Sequence, residues 1–115
     1  MTTQELKNRT FEFAIRVVRA VQVLPKGDVS RTLGNQLLRA GTSVGANYRS
    51  AVPARSRADF VAKLGIVEEE CDESSYWMEL IVALKLLKKT RLEDLQKEAS
   101  ELVASIKTAR HSKRK

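Results

Sequence analysis

The sequence predicts an all-α fold, an antiparallel up-down-up-down four-helix bundle, and three observations carry that expectation. Apolar residues recur at spacings of three and four along four separate stretches. No stretch shows the period-of-two alternation of a half-buried strand. The connections are short, about two to eight residues, and links of that length force neighbouring helices to run antiparallel. Two prolines and five glycines are the only strong breakers in 115 residues, a length sufficient to bury one core without disulfides or metals.

The first helix is expected from Gln4 to Leu24, where Leu6, Phe13, Val17, Val21 and Leu24 share a stripe widened by Ala14 and Val18. On its other side Glu5 is expected to pair with Arg9, and Glu12 with Arg16, across one turn. Pro25-Lys26-Gly27-Asp28 then breaks the pattern. Ser30 is the expected N-cap of a second helix that runs to Val52, where Pro53 either ends or kinks it by removing a donor and constraining its predecessor.

Ser56, with Asp59 three residues on, resembles a capping box for a long third helix carrying Phe60, Leu64, Val67, Cys71, Met78 and Ile81. Trp77, Leu80, Leu84 and Leu87 add a second apolar stripe to it, as expected of a helix that also meets another subunit. Thr90 with Glu93 signals the start of the fourth helix, whose Leu92, Leu95, Ala99, Leu102, Ile106 and Ala109 keep helical spacing. The expected organisation is one bundle domain over 1–110 and a basic, frayed tail over 111–115. There is no internal repeat or low-complexity segment.

The second helix carries an uncommon density of small residues. Gly34, Gly41 and Gly45 lie near one face, and each costs on the order of 1 kcal/mol of helix propensity relative to alanine. Close approach of another helix would offset that cost. A phosphate-cradling loop is a poor alternative, since no strand precedes the glycines and no Gly-Lys-Ser/Thr follows them. Gln36, Arg39, Ser43 and Asn47 form a polar stripe on the same helix, and buried polar groups need partners. Arg39 is therefore expected to pair with Glu69, Glu70 or Glu73 of the third helix.

Charge is unevenly placed along a chain of net +7. Residues 1–57 carry ten Lys/Arg against Glu5, Glu12 and Asp28, residues 58–106 carry six against eleven acids, and 107–115 add five more cations. A basic side and an acidic side are expected, suited to a polyanion or to head-to-tail self-association. The sole histidine, His111, sits in the tail, which removes histidine acid-base and triad chemistry from the folded region. The run Glu68 to Glu73 lacks the Glu-x-x-His pairs of a di-metal bundle, and the single Cys71 permits neither an intramolecular disulfide nor a cysteine cage. No enzyme activity, cofactor, metal or small-molecule substrate is expected. No apolar run approaches a bilayer span and the N-terminus lacks a signal-peptide layout, so the expectation is a cytoplasmic protein without membrane contact.

The stretch Gln36-Leu37-Leu38-Arg39-Ala40-Gly41-Thr42-Ser43-Val44-Gly45-Ala46-Asn47-Tyr48 carries a resemblance. It continues through Ala51, Ala54-Arg55-Ser56, Asp59-Phe60, Lys63-Leu64, Glu69 or Glu70, Glu73-Ser74 and Tyr76-Trp77. This ordered pattern resembles the 23S rRNA intervening-sequence protein family, small bacterial four-helix bundles often encoded within inserts in large-subunit ribosomal RNA genes. The related accessory variability determinant of diversity-generating retroelements has the same fold, forms a pentameric ring and partners a reverse transcriptase and nucleic acid. The resemblance implies a non-enzymatic homo-oligomer, a pentamer, with a basic surface facing nucleic acid.

Phosphate contact is the leading functional expectation, because a basic excess without aromatic stacking platforms neutralises backbone charge but reads few bases. The candidate contacts are Arg31, Arg49, Arg55, Arg57 and Lys63, with the tail as an auxiliary arm. The alternative is a protein scaffold, or an accessory subunit of an enzyme such as a reverse transcriptase, with Tyr76 and Trp77 as interface anchors.

Overall fold

Among residues 1–112, which the computed structural model describes, the chain forms four helices and no strand: α1 (Thr3–Gln22), α2 (Asp28–Ala51), α3 (Arg57–Ala83) and α4 (Lys89–His111). The remaining residues of the expected basic tail, 113–115, lie outside the described residues. Contacts advance along one helix as they retreat along its neighbour. Gly34, Gly41 and Gly45 of α2 meet Val21, Val17 and Thr10 of α1. Arg39 of α2 reaches Glu70 and Glu73 of α3. Cys71 and Arg57 of α3 reach Ala99 and Arg110 of α4. The arrangement is the antiparallel bundle the periodicity predicts, with α1 and α3, and α2 and α4, on the diagonals and without close backbone approach. Its long axis measures 47 Å against 22 and 19 Å across, so the ends of the rod are well separated.

The helix starts show which local signals prevail. Thr2 caps α1 through a reciprocal box: its Oγ1 accepts from the Glu5 N–H at 3.1 Å, and the Glu5 carboxylate accepts from the Thr2 N–H at 2.7 Å. That use of Glu5 displaces its expected pairing with Arg9. Arg9 instead crosses to α4, where it donates to Glu98 at 2.6 Å and Glu101 at 2.9 Å, and among the described residues Glu12 and Arg16 form no ion pair.

Ser30 does not cap α2. The cap is Gly27, whose φ of 143° is open to glycine and strained for other residues, so the helix begins three residues earlier and Ser30 is buried in its first turn. Pro53 ends α2 rather than kinking it, because Val52 is the C-cap and the chain leaves helical pairing there. Ser56 caps α3 as predicted, its Oγ accepting from the Asp59 N–H at 3.1 Å.

The second capping signal, Thr90 with Glu93, is not used. α3 closes with the Lys85 N–H on the Val82 carbonyl and the Leu86 N–H on the Ile81 carbonyl, with Lys85 left-handed at φ 61°. The chain is turned so early that α4 begins at Lys89, capped by Lys88 without a side-chain bond. This early stop also shortens the expected second stripe of α3. Trp77 and Leu80 pack at the edge of the core, Leu87 lies in the link, and Leu84 is 50% exposed.

The core is continuous along the rod. Phe13 and Val17 of α1, Leu37 and Val44 of α2, Leu64, Val67, Met78 and Ile81 of α3, and Leu92, Leu102 and Ile106 of α4 are all fully buried. Cys71 lies among them, its thiol donating to the Ala99 carbonyl at 3.3 Å, and burial pushes its pKa up to about 12. No helix among the described residues is long and apolar enough to cross a membrane.

α1 and α2 approach most closely at the glycines. A Cβ on Gly41 would lie 2.7 Å from both Val17 methyl carbons, one on Gly45 would lie 3.3 Å from the Thr10 backbone, and one on Gly34 would lie 3.0 Å from Leu24 Cδ1. The Val17 methyls sit on a β-branched carbon with one favoured rotamer in a helix, so they cannot move aside. Gly41→Ala is therefore expected to gain up to about 1 kcal/mol of propensity but lose more to overpacking, for a net destabilisation of about 1–2 kcal/mol. Gly65→Ala is the matched control. A Cβ there would meet the Arg110 guanidinium at an ordinary 3.6 Å, so the variant should be as stable as the parent or more so. Thermal unfolding followed by circular dichroism should show melting points moving in opposite directions.

Candidate nucleic-acid interface

The five basic residues singled out from sequence do not form one patch. Arg49, Arg55, Arg57 and Lys63 gather at the end of the rod where α2 stops and α3 begins. Arg31 lies 18 residues back along α2, about 27 Å away at the helical rise per residue, on the opposite end.

Each of the four at the junction is held differently. The Arg49 guanidinium lies over the exposed Phe11 ring at 5.4 Å. Arg57 sits 5.6 Å over Phe60 and donates to the carbonyls of Arg110, at 3.1 Å, and Ser112, so it closes the last turn of α4. Lys63 lies 3.6 Å from Asp59, one turn earlier. Arg55 is exposed and has no ion pair among the described residues. Arg31, at the far end, is held by Asp28 at 2.7 Å. An exposed pair of this kind holds its partners by only about 0–1 kcal/mol, so Lys63 and Arg31 remain available to a polyanion.

The fold also re-sorts the chain's charge. Residues 1–8, 45–63 and 104–112 make one end, with Lys7, Arg49, Arg55, Arg57, Lys63, Lys107 and Arg110 against Glu5 and Asp59, a net of +5. Residues 16–34 and 78–97 make the other, where nine Lys/Arg face Asp28, Glu79, Glu93 and Asp94, again +5. Between them the waist holds Arg9 and Arg39 against eight acids, Glu12, Glu68, Glu69, Glu70, Asp72, Glu73, Glu98 and Glu101, a net of −6. The basic and acidic sides expected from the sequence are thus two basic ends and an acidic belt.

Within the belt lies the polar stripe. Arg39 donates to Glu70 at 3.1 Å and to Glu73, and the Trp77 indole N–H donates to the same Glu73 oxygen at 3.0 Å. The Arg39 side chain is 48% exposed, so this is a surface network rather than a buried one. Among the described residues Ser43 and Asn47 make no cross-helix bond. The Ser43 hydroxyl donates to the Arg39 carbonyl at 2.6 Å and the Asn47 amide to the Ser43 carbonyl at 2.8 Å, each one turn back, while Gln36 is half-buried.

Two features escaped residue-by-residue reading. The Arg9 clamp on Glu98 and Glu101 joins residues about ninety positions apart, and only the placement of α1 beside α4 would bring them to mind. The Arg9 pKa is raised, chiefly by its bond to Glu98. Likewise, Arg110 donates to Glu68 at 2.8 Å and Lys107 lies 3.9 Å from it, tying α4 to α3 beside the basic end.

The sequence profile of 23S rRNA-intervening sequence proteins matches residues 2–108. The chain belongs to the 23S rRNA-intervening sequence protein family. A crystal structure of a protein with unknown function from the S23 ribosomal protein family of Bacteroides thetaiotaomicron is similar to it, with a TM-score of 0.86 and 34% identity. The match covers 93% of this chain and 99% of that one. No curated protein matches significantly.

In this member of the 23S rRNA-intervening sequence protein family, Trp77 is the only tryptophan, and its indole N–H is bonded to Glu73, so its emission responds to that carboxylate. The Glu73 carboxyl is held below the usual carboxylate range, first by the Trp77 N–H and then by Arg39. A depressed carboxyl contributes stability that is complete above the ordinary value of about 4.3 and is lost as pH falls through the lowered one. Trp77 emission should therefore hold steady from pH 8 to about 5 and change only in more acidic solution, ahead of helix loss. Glu73→Gln keeps an acceptor for the indole but cannot titrate, and should abolish that step.

Proposed function

We propose that this protein is a non-enzymatic homo-oligomer that binds nucleic acid, RNA or DNA, through phosphate contacts at the basic end formed by Arg49, Arg55, Arg57 and Lys63. The sorting of charge into a basic end and an acidic waist is the observation that supports this reading. Three of these four residues are arginines, whose planar guanidinium matches phosphate bidentately. Phe60 and Val52 lie among them at the mouth of a groove that Arg57 also lines, so the cations are mounted on a packed end rather than on a loose arm. Few aromatic rings stand free to stack on bases, so recognition rests on backbone charge and shape.

A binding role in place of catalysis is supported by His111 at the last position of α4 and by the burial of the Cys71 thiol, which keeps it protonated near neutral pH. The family resemblance supports self-assembly into a ring of five, and a cytoplasmic location suits a partner of that kind. A second reading, a scaffold or accessory subunit for an enzyme such as a reverse transcriptase, draws support from Tyr76. Tyr76 is 56% exposed and its ring packs edge-on against Trp77 at 5.0 Å, as an anchor for another protein would.

Fluorescence anisotropy with labelled duplex RNA and DNA tests the first reading. Affinity should fall steeply with salt, and Arg49→Ala and Arg55→Ala should each lower the salt slope by about one. Arg31→Ala, at the far end, should leave it unchanged. Undetectable binding even at low salt would falsify the proposal.

A further inference from the structure

Two surfaces outside the basic α2–α3 end complement each other in charge, and each carries an exposed apolar group. The first is a strip on α3. Glu69, Asp72, Tyr76 and Glu79 follow at i, i+3, i+7 and i+10, so they share one helix face over about 15 Å. All four are exposed, and none of the three carboxylates makes an ion pair among the described residues. Like charges at such spacings repel, by about 0.2–0.5 kcal/mol per pair, and a large aromatic ring stands in their midst. A metal ion does not answer the charge, since among the described residues no group of three or more acidic or histidine ligands could hold one.

The second surface is a groove between the C-terminal half of α1 and the start of α4. α1 and α4 are the least closely packed neighbours in the bundle, and the groove opens where they part. Ala20, Val23 and Leu87 give it an apolar floor, and Arg16, Arg19 and Arg91 stand around it. Asp94 also lines it, leaving a clear cationic excess. None of the three arginines has an ion pair among the described residues, and Val23 is 51% exposed.

We propose that the Glu69-Asp72-Tyr76-Glu79 strip of one copy of this chain docks in the Arg16-Arg19-Arg91 groove of a second copy. Tyr76 lies on the Ala20-Val23-Leu87 floor, and the three carboxylates meet the three guanidinium groups. The strip on α3 and the groove between α1 and α4 are different surfaces of the chain, so the contact is head-to-tail and leads to a closed ring or an open filament. It leaves Arg49, Arg55, Arg57 and Lys63 free in every copy. This inference rests on the homo-oligomeric part of the proposed function and names the surfaces that would produce it.

Light scattering on the full chain tests it by charge exchange. Glu69→Lys with Asp72→Lys, and separately Arg16→Glu with Arg19→Glu, should each reduce the assembly to the mass of one 12.9 kDa chain, with helicity unchanged by circular dichroism. All four substitutions together restore opposite charges across the contact and should restore the assembly. Tyr76→Ala leaves the charges in place and should weaken assembly, which checks the apolar part. If the parent assembles and both charge variants still do, the surface assignment is overturned while self-association stands. A combined variant that stays monomeric overturns it equally. A parent chain that is monomeric at every concentration removes both this contact and the oligomeric reading, and the anisotropy assay remains free to report nucleic-acid binding.

Discussion

Gly41 meets the branched side chain of Val17 with no room for one more carbon, and one turn on Gly45 lies against the backbone of Thr10. This tight seam between α1 and α2 sets the geometry on which the rest depends. It fixes the rotation of α2, which carries Leu37, Val44 and Tyr48 into the core and leaves Arg39 on the side facing α3. From there Arg39 reaches Glu70 and Glu73, setting the axial register of α3. Helix propensity lost at the glycines is offset by dispersion contacts that only bare backbone can make.

Much of this was legible in the sequence, for a definite reason. Periodicity reports which face of a helix is apolar, and in an antiparallel bundle with short links that nearly specifies the neighbours. The heptad-like run from Leu64 to Ile81, the Ser56 cap and the Arg39 pairing could be read directly because each is local or joins consecutive helices, whereas Pro53 allowed either an end or a kink. The misreadings share a different cause. Ser30 and Thr90 are good capping residues, but they were outcompeted by backbone geometry: a glycine at positive φ before α2 and a left-handed Lys85 after α3. Propensity alone does not rank those alternatives. Arg9 joins the first and last helices, so its partners become visible only after the bundle closes.

The candidate interface was legible in composition and obscure in placement. Arg31 belongs with Arg49, Arg55, Arg57 and Lys63 as a basic residue, but α2 separates it from them by most of its length. Charge along the chain, basic then acidic then basic, predicts a basic side and an acidic side. Folding an up-down topology instead superposes the basic α2–α3 junction and the chain's basic close at one end. The acidic middle of α3 is set beside the acidic residues Glu98 and Glu101 of α4, and the belt results.

A rod that is positive at both tips and negative around its girth is a linear electrical quadrupole, and its net charge says little about how it would orient. Lying flat along a polyanionic strand would bring the belt against phosphates, which repel it, whereas standing upright on one tip would not. Such a molecule behaves as a strut. Its spacing along a nucleic acid would follow the roughly 20 Å cross-section rather than the 47 Å length, and its opposite basic tip would be carried clear of the strand.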